Sequence, residues 1–197
     1  MTTPVDGQER SQLCDLLTEL GPDAPTLCEG WTTADLAAHL VLREHFKKWP
    51  KERLAAEKAK GFTMLVGRIR DGAPLIPWRV PGIRVLLNGL EYFIHHEDVR
   101  RANGLQPRAD TTELHDLCWR MTGFVGRRVA RGFRPFELEL KSTDGRVRSF
   151  GSGKLAILSG PPTELVLYLS GRRSAAQVEL GGSPEAIQAI ESNRSGL

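Results

Sequence analysis

The chain has 197 residues, which is enough for one large domain or two small ones. Hydrophobic residues make up 40% of the sequence and charged residues 26%, so a disordered or collagen-like chain is excluded. The 27 basic and 24 acidic residues leave a net charge of +3, which is too small to indicate binding to nucleic acid or to a membrane surface.

The first two predicted helices have clear boundaries. Leucines recur at helical spacing up to Leu20, and the Gly-Pro pair that follows predicts the end of the first helix. Thr32 is the predicted N-cap of the second helix, with Asp35 in the position of a capping-box acid. The second helix is expected to end near Pro50.

Helical periodicity continues through the first two thirds of the chain. Residues 51–71 predict one amphipathic helix interrupted around Gly61, and residues 72–82, which contain three prolines, predict a loop. Two further helices are expected at 83–102 and 112–131. Four principal helices with apolar stripes indicate a helix bundle.

The pattern changes after Gly132. Residues 136–140 alternate apolar and charged side chains as a half-buried strand does, and residues 143–145 predict a hairpin turn. Further strands are predicted at 147–150, 155–158 and 176–180, and further helices beginning near Pro161 and Ser183. The sequence therefore predicts a mainly α chain, with a helix bundle over residues 1–131 and a small α+β domain over residues 132–197 packed on it.

The three cysteines Cys14, Cys28 and Cys118 are widely spaced and form no C-x-x-C motif. An odd number would leave one thiol unpaired in a secreted protein, so the count favours a reducing compartment. The N-terminal residues show no signal peptide, and no apolar run approaches the ~20 residues that a membrane-spanning helix needs. We therefore predict a cytoplasmic protein without membrane contact.

His39, Glu91 and His95 form a candidate metal site. His39 falls on the apolar stripe of the second helix, and Glu91 and His95, four residues apart, share one face of the long helix. A buried glutamate is costly unless it is paired or bound to a metal. Two histidines and one glutamate leave a fourth position open on a tetrahedral ion, as catalytic zinc sites do, and nickel, iron or manganese would also suit these ligands.

A simpler interpretation of the same residues stays open. A Glu-x-x-x-His pair is common on helix surfaces, and a lone histidine at the edge of an apolar stripe is more often a core residue with a hydrogen-bond partner than a ligand. The spacing alone is therefore a weak signal.

Two segments around these residues carry further motifs. The first is APTLCEGWTTADLAAHL at 24–40, with the pattern Gly-Trp-Thr/Ser, Asp-Leu and His-Leu. The second is NGLEYFIHHEDVRRA at 88–102, with the pattern Glu-x-x-x-His-x-x-Asp. Both resemble motifs of the mycothiol-dependent maleylpyruvate isomerase-like proteins, the actinobacterial branch of the DinB-like four-helix bundle superfamily. The resemblance extends over roughly residues 8–131 and more loosely over the C-terminal part.

The resemblance implies metal ligands at His39, Glu91 and His95, and mycothiol as a thiol cofactor. A divalent metal would bind the thiol and lower its pKa, so that the thiolate attacks an electrophilic small-molecule substrate in an isomerase or S-transferase reaction. The alternative is a non-catalytic metal- or small-ligand-binding protein of the same fold. A third hypothesis is a bundle without metal, in which the polar residues pair with each other.

The residues that follow His95 differ from the family pattern. His96 and Glu97 stand where relatives often have Gly-Trp, and they would alter the pocket or add a partner to a ligand. Asp98 has two equally weighted interpretations, as a carboxylate that holds the far nitrogen of His95 or as a surface acid paired with Arg101. For His96 itself, the rotation from His95 predicts a side chain facing solvent or an adjacent helix.

The remaining candidate residues are expected to have structural or surface roles. Cys28 is interpreted as a small buried hydrophobe in preference to a redox-active thiol, and Trp31 as a packing anchor. The remaining cysteines are predicted in the core, and His45 and His115 on the surface. Five arginines near helix ends are expected on a solvated face, where they offset the helix dipole. The alternative is that some of them bind an anionic substrate. These arginines are Arg127, Arg128, Arg131, Arg172 and Arg173.

Overall fold

The computed structural model describes residues 4–43, 51–72, 81–108 and 111–192. By its contacts the chain divides into two compact units, Met1–Arg108 and Ala109–Leu197. The first is helical, and the second adds a four-stranded sheet to further helices, which confirms the predicted mainly α class with an α+β C-terminal part. Among the described residues, no helix combines the length and the apolar character needed to cross a membrane.

Five helices are described in the first unit. They are α1 (Val5–Leu20), α2 (Thr33–Arg43), α3 (Lys51–Lys58), α4 (Phe62–Asp71) and α5 (Pro81–Ala102). The predicted interruption at Gly61 is confirmed, since this residue has a φ of 99° between α3 and α4. The long helix begins at residue 81 and not at 83. The predicted end of the second helix near Pro50 and most of the predicted 72–82 loop lie outside the described residues.

Regularly spaced apolar side chains form the core of the first unit. Leu13 and Leu17 on α1 and Leu36 and Leu40 on α2 repeat at four-residue spacing, and all four are buried. Each such side chain contributes roughly 1.5–3 kcal/mol on burial. The same cluster includes Cys14, as predicted, and Tyr92 and Val99 of α5. This packing fixes the inward face of α2 and of α5.

The start of α2 is held by the predicted cap. Both the N–H and the hydroxyl of Thr32 donate to Asp35 Oδ2, at 3.0 and 2.9 Å. Lys58 Nζ on α3 donates to the other oxygen of Asp35 at 2.8 Å. Burial raises the pKa of Asp35, but the bonds from Lys58 and Thr32 outweigh it and hold that pKa below its ordinary value. These bonds tie the start of α2 to α3.

The second unit combines helices with a small mixed sheet. Its elements are α6 (Thr112–Arg131), β1 (Glu137–Ser142), β2 (Val147–Gly151), β3 (Leu155–Gly160), α7 (Pro162–Leu169), β4 (Glu179–Gly182) and α8 (Pro184–Ser192). The strand order is β2-β1-β3-β4, with β1 parallel to β3 and the other pairs antiparallel. The predicted hairpin turn is confirmed, since Gly145 has a φ of 88° and its N–H donates to the Ser142 carbonyl at 3.0 Å.

The last strand differs from the prediction at 176–180. The chain is still turning at Ala176, whose N–H donates to the Arg172 carbonyl after α7. Strand pairing begins at residue 179 and ends in two glycines, Gly181 and Gly182, the second of which pairs with Ala156. A Cβ at Gly182 would clash with the Leu155 carbonyl, so glycine is required at this position. Glycine is uncommon in strands, and the sequence therefore shows no strand signal here.

The helix α6 belongs by its contacts to the second unit. The division falls after residue 108, whereas the sequence placed it after residue 131. Val125 and Val129 of α6 share a buried cluster with Leu138 of β1, which explains the difference. Helical periodicity reports the type of an element and not the partner on which it packs. The assignment of two separate domains stays a prediction.

Two helical glycines give a matched test of this packing. A Cβ at Gly126 of α6 would lie 2.8 Å from Cζ of the buried Phe150 ring, whereas one at Gly67 of α4 would meet nothing within 4 Å. We expect Gly126→Ala to lower the free energy of unfolding by about 1–3 kcal/mol, since a packed ring cannot move aside cheaply. Gly67→Ala should raise it by about 0.5–1 kcal/mol through helix propensity. Urea unfolding followed by far-UV circular dichroism measures both, and equal effects would contradict the packing described for α6.

Candidate metal centre

Three candidate ligand atoms converge between α2 and α5. His39 Nε2 lies 3.4 Å from Glu91 Oε1, and His95 Nε2 lies 3.3 Å from the same oxygen. The three side chains each offer a ligand atom within 4.8 Å of the others. The structure therefore brings together the three residues that the sequence singled out.

The spacing of these atoms suits a tetrahedral ion. Ligand atoms at 2.0–2.2 Å from zinc lie about 3.3–3.6 Å from each other, and both measured separations fall in that range. The two imidazoles are buried, while the Glu91 side chain keeps 27% of its surface exposed.

Glu91 is surrounded by positive and donor groups. Burial raises its pKa, but hydrogen bonds from His39 and His95 and the charges of His95 and Arg43 outweigh this and hold the pKa of Glu91 well below its ordinary value. Arg43 Nε lies 3.2 Å from Oε1 of this glutamate. The Arg43 guanidinium is itself held by the side-chain oxygen of Asn88 at 3.0 Å. The carboxylate is thus ionised, as a metal ligand must be.

The far nitrogen of His95 is held by Asp98. His95 Nδ1 donates to Asp98 Oδ2 at 2.8 Å, and this aspartate is fully buried. Burial lowers the pKa of His95, but the bonds to Asp98, Cys28 and Glu91 prevail and raise it well above its ordinary value. Asp98 is therefore not a surface acid, and its bond to the far nitrogen of His95 agrees with the first of its two interpretations. Arg101 donates to Glu97 at 2.8 Å.

Cys28 is a site residue that the sequence interpretation did not favour. Its thiol donates to Asp98 Oδ2 at 3.3 Å, and its sulfur lies 4.0 Å from His95 Nδ1. It is half-buried and hydrogen-bonded, and so differs from the expected buried hydrophobe. Cys28, His95 and Asp98 form a second group that could hold a metal. The 2.8 Å between His95 Nδ1 and Asp98 Oδ2 is short for two ligands of one ion. This second group is therefore better explained as hydrogen-bonding support for the His95 ring.

Trp31 covers the His39 imidazole. The two ring centroids are 5.1 Å apart at an angle of 54°, and His39 in turn lies edge-on to His95 at 5.2 Å. Burial lowers the pKa of His39, and the charges of His95 and Arg43 act in the same direction against the bond to Glu91. A neutral imidazole is the form that binds metal.

His96 and Glu97 do not join the ligand group. His96 is buried against α1, with Nδ1 3.5 Å from Glu9 Oε2. Of the two predicted positions for this side chain, it therefore faces the adjacent helix and not solvent. Glu97 accepts from Arg101 at 2.8 Å and from Arg108 at 2.9 Å. The two residues that depart from the family pattern thus belong to a buried charge network between α1 and the other face of α5.

The remaining candidates lie elsewhere. His45 is outside the described residues, and His115 is half-buried. Cys118 is in the core, as predicted. The arginines named from the sequence are exposed on α6 and half-buried after α7: Arg127, Arg128 and Arg131 in the first group, Arg172 and Arg173 in the second.

The fold and the site together define a helical protein with a candidate His-Glu-His metal centre between two helices. The family model of the mycothiol maleylpyruvate isomerase N-terminal domain matches residues 7–127, and the chain belongs to this family. That stretch contains all three candidate ligands. No protein among the curated ones matches the chain significantly.

Solved structures support the same fold. The chain is similar to the crystal structure of the mycothiol-dependent maleylpyruvate isomerase, with 16% identity, a TM-score of 0.65 and 90% of each chain covered. It is also similar to a histidine-to-alanine mutant of that isomerase, with 16% identity, a TM-score of 0.62 and again 90% of each chain covered. The likeness therefore includes the C-terminal α+β part as well as the helices.

Asp98 gives a test of the site that leaves the three ligands intact. We expect Asp98→Asn to weaken zinc binding by about 10- to 100-fold, because the His95 ring loses the carboxylate that orients it. Competition with a chromophoric chelator measures the affinity. The matched control is Asp144→Asn, which alters an exposed carboxylate paired with Arg146 and should leave the affinity unchanged. Equal affinity in both variants would contradict the role given to Asp98.

Proposed function

We propose that this chain is a divalent-metal enzyme that uses mycothiol and catalyses an isomerase or S-transferase reaction. His39, Glu91 and His95 are the proposed metal ligands. The observation that carries the proposal is the convergence of their three ligand atoms within 4.8 Å, with both histidine nitrogens at 3.3–3.4 Å from Glu91 Oε1 as one tetrahedral ion requires. The family membership and the similarity to a mycothiol-dependent isomerase support the choice of thiol.

Zinc is the proposed metal. Two imidazole nitrogens and one carboxylate oxygen form the donor set of catalytic zinc sites, which keep one position open. Nickel, iron and manganese accept the same donor types and are the alternatives. A thiol would occupy the position that these three ligands leave open.

The residues of this chain have separate tasks in the proposed reaction. His39 and His95 present their Nε2 atoms, and Asp98 keeps the proton of His95 on Nδ1. Arg43 helps to keep Glu91 ionised. A bound divalent ion would lower the pKa of the thiol and so supply a thiolate nucleophile at neutral pH. The partners would be a small thiol and an electrophilic small molecule, in keeping with a reducing cytoplasm.

A second candidate is a metal- or ligand-binding protein of the same fold without turnover. The departure from the family pattern at His96 and Glu97 is the reason to consider it, and the structure places both residues in a buried network with Glu9 and Arg108, away from the candidate ligands. One contact favours the metal-free alternative. The Arg43 guanidinium at 3.2 Å already balances the charge of Glu91.

Metal analysis separates the metal-free alternative from the other two. We expect purified protein to bind about one equivalent of zinc, and His39→Ala to lose most of it, because one of three ligands is removed. The control is His115→Ala, which removes a half-buried histidine of the second unit and should retain the metal. Equal metal content in His39→Ala and the parent would overturn the site.

Thiol consumption separates the enzyme from the binding protein. With zinc loaded, mycothiol and a panel of electrophiles that includes maleylpyruvate, we expect turnover in the parent and in His115→Ala. His39→Ala should lose at least 100-fold in rate, since the group that ionises the thiol is no longer held. Stoichiometric zinc without turnover on any electrophile would favour the binding protein.

The protonation of His95 makes metal binding depend on pH. Both ring nitrogens of His95 face carboxylate oxygens, Nδ1 at 2.8 Å and Nε2 at 3.3 Å, and these contacts raise its pKa. The charged imidazole must lose its Nε2 proton to bind an ion. We expect about one proton to be released per zinc at pH 7, and the affinity to fall as the pH is lowered. Titration calorimetry in two buffers of different ionisation enthalpy gives the proton count.

The control for this proton count is Asp98→Asn. Without the carboxylate at 2.8 Å, the His95 imidazole loses its main stabilising partner for the charged form, and less than half a proton should be released. Proton release that stays the same in the variant would show that the proton comes from another group.

A further inference from the structure

Three arginines surround one pocket of the second unit. Arg127 and Arg131 lie four residues apart on α6, and Arg134 follows in the turn after that helix. Together with Ala130, Phe150 and Gly151 they line a pocket of about 310 Å³. This volume is at the lower end of the range for small-molecule sites.

The three guanidinium groups carry uncompensated charge. Within the described ranges, the side chains of Arg127, Arg131 and Arg134 form no ion pair or hydrogen bond. Elsewhere in the same unit, Arg146 pairs with Asp144 and Asp116. Three like charges around one pocket repel each other, so an anion in that pocket would lower the electrostatic energy.

Part of the pocket lining is apolar and comes from two buried residues, Phe150 and Ala130. Phe150 is buried, and its ring packs directly against α6 at Gly126, where any side chain would clash with it. The Ala130 methyl group extends this surface. A flat apolar group can therefore lie on this surface while charged groups at its edge reach the arginines.

The neighbouring Arg148 also lies in a positive electrostatic potential. Burial lowers the pKa of Arg148, and the charges of Arg127 and Arg146 lower it further. Arg128 is also exposed on α6 but does not line the pocket. The chain thus offers a charge-matched residue outside the site.

We propose that Arg127, Arg131 and Arg134 form a binding site for a small organic anion that carries two carboxylates on a flat apolar frame. Guanidinium groups bind carboxylates through paired, charge-assisted hydrogen bonds, and two or three of them select a dianion over a monoanion. The residues that line this pocket belong to the second unit, whereas the candidate metal ligands belong to the first.

The test uses the full-length chain, labelled with ¹⁵N, and isophthalate as the probe. We expect the amide signals of Ala130 and Gly151 to shift on titration, with a dissociation constant of roughly 1 mM at low ionic strength. Gln in place of Arg127, Arg131 or Arg134 should weaken binding by about tenfold each. Arg128→Gln should leave it unchanged, and benzoate should bind at least fivefold more weakly than isophthalate.

Several outcomes would overturn the proposal. Equal loss in Arg128→Gln would show a diffuse surface effect, and equal shifts with inorganic phosphate would show that charge alone is recognised. No shift at Ala130 and Gly151 would exclude the pocket. His39→Ala should bind isophthalate as the parent does, so failure of the metal centre and failure of this site are distinguishable. Circular dichroism confirms that the exposed substitutions leave the fold intact.

Discussion

The carboxylate of Glu91 is the group on which the arrangement of α2 and α5 depends. A carboxylate that faces a packed interior must find positive or donor partners, because its burial without them is costly. Here His39 comes from α2, His95 from the next turn of α5, and Arg43 again from α2. The two helices are therefore joined by polar contacts around one oxygen as well as by the leucines of the core.

The supporting groups are placed outside the three candidate ligands. Asn88 holds Arg43 one turn before Glu91, and Asp98 holds His95 one turn after that histidine. Both supports come from α5 itself, so helical spacing sets their positions relative to Glu91 and His95. Cys28 adds a contact from a distant loop. Oriented ligands lose little freedom on binding an ion, which is the usual benefit of such partners.

The sequence predicted the features that local rules determine. The cap at Thr32, the break at Gly61 and the pairing of Glu91 with His95 each depend on residues within a few positions. The contacts of Cys28 with His95 and Asp98 span about 70 residues and leave no periodic signal. Likewise, the contact between Arg43 and Glu91 joins two helices that are distant in the sequence. The grouping of α6 with the sheet depends on long-range packing, which periodicity does not report.

The concentration of site residues on α5 has a consequence for how this family can diverge. Asn88, Glu91, His95 and Asp98 occupy a single helix without a break. Inserting or deleting one residue between them would rotate everything downstream by ~100° and separate the donors. Substitutions on the opposite face, such as those at His96 and Glu97, leave this phase unchanged. Length variation should therefore be confined to the loops, while the α5 segment varies only in composition.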